Sequence, residues 1–220
     1  MTSTIDSSND PKWRRLPEER PHQILLAAIE VFGEHGIAGA KLEDIATRAG
    51  VSKGTIYLYF DSKEELFREV VRKLIVPRIA EVERALDEGA PTAQLERYLR
   101  VQWAHFDRPG TAGWIRVVLT ELHKYPDLAE FYYTEVIAAS NHRLGDVLRR
   151  GMETGEFRRM DPLATVSIIK AIALMHVIWS QTPLPTSASG TYARGASLDA
   201  IIDFVVHALR PDTGARSEPR

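Results

Sequence analysis

Ser52, Lys53, Thr55, Tyr57, Tyr59 and Lys63 crowd hydroxyl and ammonium donors into one short stretch of chain. Groups of this kind meet phosphate oxygens and base edges, whereas a merely solvated helix face more often carries paired Glu and Lys. Covalent chemistry has much less to stand on. There is no cysteine, so thiolate nucleophiles and disulfides are excluded. A Gly-x-Ser-x-Gly elbow, a Gly-x-Gly-x-x-Gly turn and a phosphate-cradling P-loop are also missing. Metal spacings such as His-x-x-x-His and His-Glu-x-x-His do not occur, and Glu121 and His123, two apart, would point in different directions on a helix. Neither an enzyme, nor a metal site, nor a cofactor is expected.

The donors need a scaffold, and residues 42–59, LEDIATRAGVSKGTIYLY, have the pattern of one. Ile45, Ala46, Ala49, Val51, Ile56 and Tyr59 supply an inward face, with Ala46 small enough for two helices to cross closely. Gly50 falls where the first helix ends and a left-handed backbone is needed. Ser52 can then cap the next helix with its hydroxyl. Two helices joined by so short a glycine turn form the helix-turn-helix unit that sets a recognition helix, here residues 52–59, in the major groove of duplex DNA. Any packed helix pair can carry alanine and glycine at its crossing; the donor-rich surface is what separates the two readings.

Residues 32–67, FGEHGIAGAKLEDIATRAGVSKGTIYLYFDSKEELF, resemble the amino-terminal signature of the TetR/AcrR family of transcriptional repressors. The likeness spans residues 21–76 and includes GVSKGTIYLYF and the downstream SKEEL. From about residue 77 it is looser, in ELHKYPDLAEFYY and GEFRRMDP. The resemblance implies an all-α homodimer in which a three-helix helix-turn-helix DNA-binding domain precedes a larger helical ligand-binding and dimerisation domain. By the family pattern Lys53 and Thr55 read base edges, Tyr57 reaches a base or a phosphate, and Tyr59 and Lys63 hold phosphates. Lys41, Ser52 and Gly54 complete the implied DNA-contacting set. Lys41 is a departure, because the family commonly has a capping threonine there. Lys41 can meet a phosphate but cannot accept a hydrogen bond from the free helix amides. The implied function is sequence-specific binding to an inverted-repeat operator, relieved by a small hydrophobic or aromatic effector. The alternative is a DNA-binding regulator without such a ligand, whose second domain serves only dimerisation or protein docking.

Composition fits this outline. A chain of 220 residues, 44% hydrophobic, is long enough for a packed core in one larger or two smaller domains. No apolar run approaches the roughly 20 residues of a membrane span. The start MTSTIDSSNDPKWRR is polar rather than signal-like, and the lack of cysteine suits a reducing cytoplasm. The net charge of −2 is unhelpful to a DNA binder, and residues 12–76 hold 11 Lys and Arg against 10 Asp and Glu. Positive charge must therefore be concentrated locally, at Lys12, Arg14, Arg15, Lys41, Lys53 and Lys63, with Glu18, Glu19, Glu30 and Glu34 turned away. The expected organisation is a flexible arm over 1–20, a DNA-binding domain over 21–76, a helical domain over 77–210 and a disordered tail over 211–220. The basic arm reads either as a minor-groove probe or as a solubilising tail.

Helical spacing organises nearly all the rest. Pro21 suits a first turn, and Ile24, Leu25, Ala28, Ile29, Val31 and Phe32 recur along one face until Gly33 and Gly36. Ser62 and Glu65 form a capping-box pattern before the stripe Leu66, Phe67, Val70, Val71 and Leu74. Pro77 should kink or end that helix, with or without regulatory meaning. Further helices are expected near 92–106, 113–124, 127–151, Pro162–Ser180 and Leu198–Leu209, and residues 183–195 read as a mobile loop. The last two helices are apolar enough that a second subunit should cover part of them, with Ile202 and Val206 at the seam. Trp103, Phe106, Trp114, Tyr132, Met175 and Trp179 are the expected apolar lining of a ligand pocket, with His123 and His176 as polar partners. Each of them singly reads equally as core.

Overall fold

In a computed structural model, residues 20–180 and 198–211 are described, with only the backbone described at His176, Trp179 and Ser180. The arm carrying Lys12, Arg14 and Arg15, the 183–195 stretch and the tail beyond residue 211 lie outside the described residues. Every element among the described residues is helical.

Helix α1 (Arg20–Gly39) runs through Gly33 and breaks at Gly36, whose φ of 71° and ψ of 176° belong to a region essentially reserved for glycine. Helix α2 (Leu42–Arg48) starts without a side-chain cap. The Lys41 carbonyl takes the Asp44 and Ile45 amides, and Glu43 and Asp44 set negative charge against the positive helix end. Gly50 turns the chain at φ 67°, as expected. Ser52 then caps α3 (Lys53–Tyr57) by accepting from the Thr55 amide at 3.1 Å. Helix α3 is shorter than the spacing predicts, and its end corrects one assignment. The helical period no longer applies beyond Tyr57, so Tyr59 is 38% exposed and Phe60 takes the inward position.

Ser62 caps α4 (Lys63–Val70) through the Glu65 amide, while Glu65 reaches the Asp61 amide rather than that of Ser62, a box shifted by one residue. Pro77 does not end the helix. The chain widens into a π turn (Val71–Ile75), in which the Val76 amide donates to Val71, and continues as α5 (Val76–Glu83). A wider turn is a direct accommodation of a ring that would clash with the carbonyl four residues back and brings no N–H. Next come α6 (Pro91–Phe106), α7 (Thr111–Thr120), a 3-10 turn (Leu122–Lys124) and α8 (Pro126–Tyr132). A second π turn (Tyr133–Ala138) leads into α9 (Ala139–Thr154), which Gly155 ends at φ 78°. Helices α10 (Pro162–Ser180) and α11 (Leu198–Leu209) complete the described chain.

Two apolar clusters hold these helices. The first runs without a break from α1–α4 into α7 and α8, through Phe32, Phe67 and Trp114. The second joins α5, α6, α9, α10 and α11 around Leu99, Leu148 and Val166. The placement of α11 corrects the expected seam. Ile202 and Val206 are buried in the chain's own core, with α11 packed on α6, and Phe204 is the large apolar residue of α11 that faces out. Leu163, Ile168 and Met175 are similarly exposed on α10.

Candidate nucleic-acid interface and internal cavity

The glycine turn presents α3 at the surface. Lys41, Ser52, Lys53, Gly54, Tyr57 and Tyr59 are exposed, and Thr55 and Lys63 are half-buried. Their donors are already organised. The Ser52 and Thr55 hydroxyls are 2.8 Å apart, and the Lys63 ammonium donates to the Ala38 carbonyl at the end of α1 at 3.0 Å. Lys53 and Tyr57 converge on one acid of α2: the ammonium lies 2.8 Å from the Glu43 carboxylate and the Tyr57 hydroxyl donates to it at 3.2 Å. The Lys53 bond, with smaller help from the backbone and Tyr57, holds Glu43 at about 2, so the acid stays charged far below neutrality. Glu30 and Glu34 are engaged by Arg48 at 3.1 and 2.7 Å.

Glu43 thus competes with any base or phosphate for Lys53. Glu43→Gln is expected to free the ammonium, raise affinity for random duplex DNA and steepen its salt dependence by about one unit of log K per log salt. Titrations across a salt series check this, and an unchanged slope would count against it.

Behind the reading head lies a cavity of about 220 Å³ bordered by α5, α6, α7, the second π turn and α10. Of the expected lining, Phe106, Trp114 and Tyr132 are there. Trp103 is not: it sits 100° round α6 from Gln102, on the side that packs into the second cluster. His123 is exposed, because α7 ends at Thr120 and its cavity face goes no further. Met175 faces outward on α10. The His176 and Trp179 side chains lie outside the described residues.

The polar lining comes from residues that spacing did not single out. Lys170, the one formal charge in PLATVSIIKAIALMHVIWS, donates to Ser140 Oγ at 2.9 Å and Asn141 Oδ1 at 2.6 Å. Burial pushes it down to about 8, against the pull of Glu83. A lone charge within an apolar helix needs buried partners, and that was the signal available in the sequence. Burial, then Arg108 and Arg78, push His105 down to about 4, so its imidazole is neutral at pH 7. Tyr132 rises to about 12 through burial. A wider recess of about 550 Å³ is bordered by exposed charges such as Asp87, Arg143 and Arg150, with the buried Gln94 amide taken by Arg150 and the Leu86 carbonyl.

One wall of the cavity is tied to the reading head. Trp114 stacks on Phe67 of α4 with ring centroids 4.8 Å apart, and Phe67 meets Phe32 of α1 edge to face at 6.0 Å. Helices α1 and α7 cross at two glycines, where a Cβ on Gly33 would lie 3.2 Å from Gly113 Cα. Arg116 donates to the Gly33 carbonyl. The break at Gly36 leaves the Ile37 and Ala38 amides without helical acceptors, and Glu121 at the end of α7 takes them at 2.8 and 3.3 Å. A Cβ at Gly36 would fall 1.9 Å from that carboxylate.

Comparison with known proteins agrees with this architecture. Residues 24–70 match the bacterial regulatory proteins of the tetR family, and residues 85–194 match the tetracyclin repressor-like C-terminal domain. The chain is 35% identical over 91 residues to the HTH-type transcriptional regulator RutR of Escherichia coli, a match covering 41% of this chain and 43% of RutR. It is 26% identical over 175 residues to the HTH-type transcriptional repressor KstR2 of Mycolicibacterium smegmatis, covering 78% of this chain and 84% of KstR2. The solved fatty acid degradation regulator FadR of Bacillus halodurans superposes with a TM-score of 0.70 at 22% identity, over 87% of this chain and 96% of that one, a likeness of fold alone. Among the described residues no helix is long and apolar enough to cross a membrane. With a glycine-turned reading helix at the surface, an all-helical body behind it and both halves matched, the chain belongs to the TetR family of bacterial regulatory proteins.

Proposed function

We propose that this DNA-binding regulator is a repressor that acts as a homodimer on an inverted-repeat operator and is released when a small, largely apolar molecule enters the cavity beside Trp114. Residues 21–76 serve as the DNA-binding domain and 77–210 as the effector and dimerisation domain. The observation that carries this reading is the shared wall: the helix that lines the cavity through Trp114 and Leu119 also grips α1 through Gly113, Arg116 and Glu121. A ligand that shifts α7 must move the reading head or break those contacts. Linkage then sets the scale, since each tenfold loss of operator affinity needs about 1.4 kcal/mol of differential ligand affinity. KstR2 is named a repressor, the direction proposed here. Lys53 and Thr55 are assigned to base edges, Tyr57 to a base or phosphate, and Lys41, Tyr59 and Lys63 to phosphates.

Selection of bound sequences from random duplex DNA tests the reading. The expected product is an inverted repeat whose half-sites lie one helical turn, about 34–36 Å, or a multiple of it apart. A selected motif without two-fold symmetry would overturn the dimeric mode, and the absence of any enriched motif would overturn sequence-specific binding.

A further inference from the structure

The cavity lining carries bases that an apolar effector alone leaves unused. Among the described residues it includes Arg78, His105 and Lys170 and no aspartate or glutamate. Lys170 has its partners in Ser140 and Asn141. Arg78 is different: among the described residues no carboxylate pairs with it, because neighbouring Glu81 is taken by both terminal nitrogens of Arg108 at 2.7 and 2.8 Å. Three residues of the lining each hold a buried polar atom with no hydrogen-bond partner among the described residues: His105 Nδ1 and Thr111 Oγ1, on residues 7% and 6% exposed, and Trp114 Nε1. Arg78, His105 and Thr111 all line the cavity, and two consecutive turns, Arg108 N–H to the His105 carbonyl and Thr111 N–H to the Arg108 carbonyl, lead from α6 to Thr111.

A half-buried guanidinium without an ion-pair partner and orphaned buried polar atoms are costly unless something meets them, and a guanidinium fork fits a carboxylate in two parallel hydrogen bonds. Much of the remaining lining is apolar, including Phe106, Leu119 and Val136. We infer that the effector is a small amphipathic carboxylate, its acid group paired with Arg78 and accepting from Thr111 and His105, its apolar body lying against Phe106 and Trp114. This rests on the effector reading above.

Calorimetric titration of the full chain with benzoate, phenylacetate, hexanoate and octanoate, each against its primary amide, tests the inference. At least one acid should bind about tenfold or more tighter than its amide, the size of a charge-assisted hydrogen bond. Arg78→Gln should bring that acid down to the amide's affinity while leaving the amide unchanged, and Arg78→Lys, which keeps charge without the fork, should fall between. Equal binding of acid and amide by the wild type, an unchanged ratio in Arg78→Gln, or no acid binding below about 1 mM would overturn it. Operator affinity is measured alongside. An acid that binds through Arg78 without releasing DNA removes the effector reading and keeps this one, and an amide that binds equally and releases DNA does the reverse.

Discussion

Phe67→Ala should lower stability by about 3–5 kcal/mol. Phe67 is fully buried, stacked on Trp114 and edge-on to Phe32, so truncation removes one ring from between two others. Neither neighbour can collapse into the gap without moving a helix, and aromatic pairing worth about 0.5–1.5 kcal/mol per contact is lost with the burial. Denaturant melts followed by circular dichroism read the loss directly. A change below about 1 kcal/mol would contradict the packing. Phe67→Leu separates structure from signalling, because it keeps most of the buried apolar volume while removing both ring contacts, and it should cost less than Phe67→Ala. That variant should remain folded and bind whichever acid the titrations identify, yet release operator less completely, since the rings that join the cavity wall to α1 no longer touch.

Phe204→Asp is expected to convert the proposed dimer to a monomer at micromolar concentration and to reduce operator affinity by about 10²–10⁴-fold. The reduction is the effective-concentration gain forfeited when two reading heads are no longer joined. Phe204 is 64% exposed on α11, and Leu163, Ile168 and Met175 are exposed on α10. An aspartate there stays solvated in the separated subunit and is desolvated only at a dimer seam, so the fold should survive. Ile202→Asp should behave differently. Ile202 is 5% exposed within its own subunit, and a charge there should unfold the chain rather than dissociate it. Sedimentation equilibrium and thermal melts of the two variants side by side distinguish the cases. A wild type that sediments as a monomer, or a Phe204→Asp variant that remains a dimer, would refute the seam.

Local chemistry made the reading head legible. Gly50 needs a left-handed backbone, Ser52 and Ser62 accept from the third amide of their helices, and both causes lie within three residues of their effects. The same holds for the lack of a cap at Lys41. Where α3 ends was not legible. Its five helical residues stop before the period that would have turned Tyr59 inward, and helix length is set by packing more than by propensity.

By itself the sequence determined the helical class, the helix-turn-helix, its donor set and the family resemblance, because each is written in neighbours along the chain. Tertiary structure alone decided which side of each apolar helix met the cavity. It placed His105 rather than His123 in the lining, drew Trp103 away, paired Glu121 with amides 84 and 83 residues distant, and buried Ile202 within its own subunit. A broad apolar stripe states that a helix is buried but not against what. The choice among its faces comes from close packing of segments far apart in sequence, where two glycines let α1 and α7 touch and so fix which residues of α7 reach the cavity.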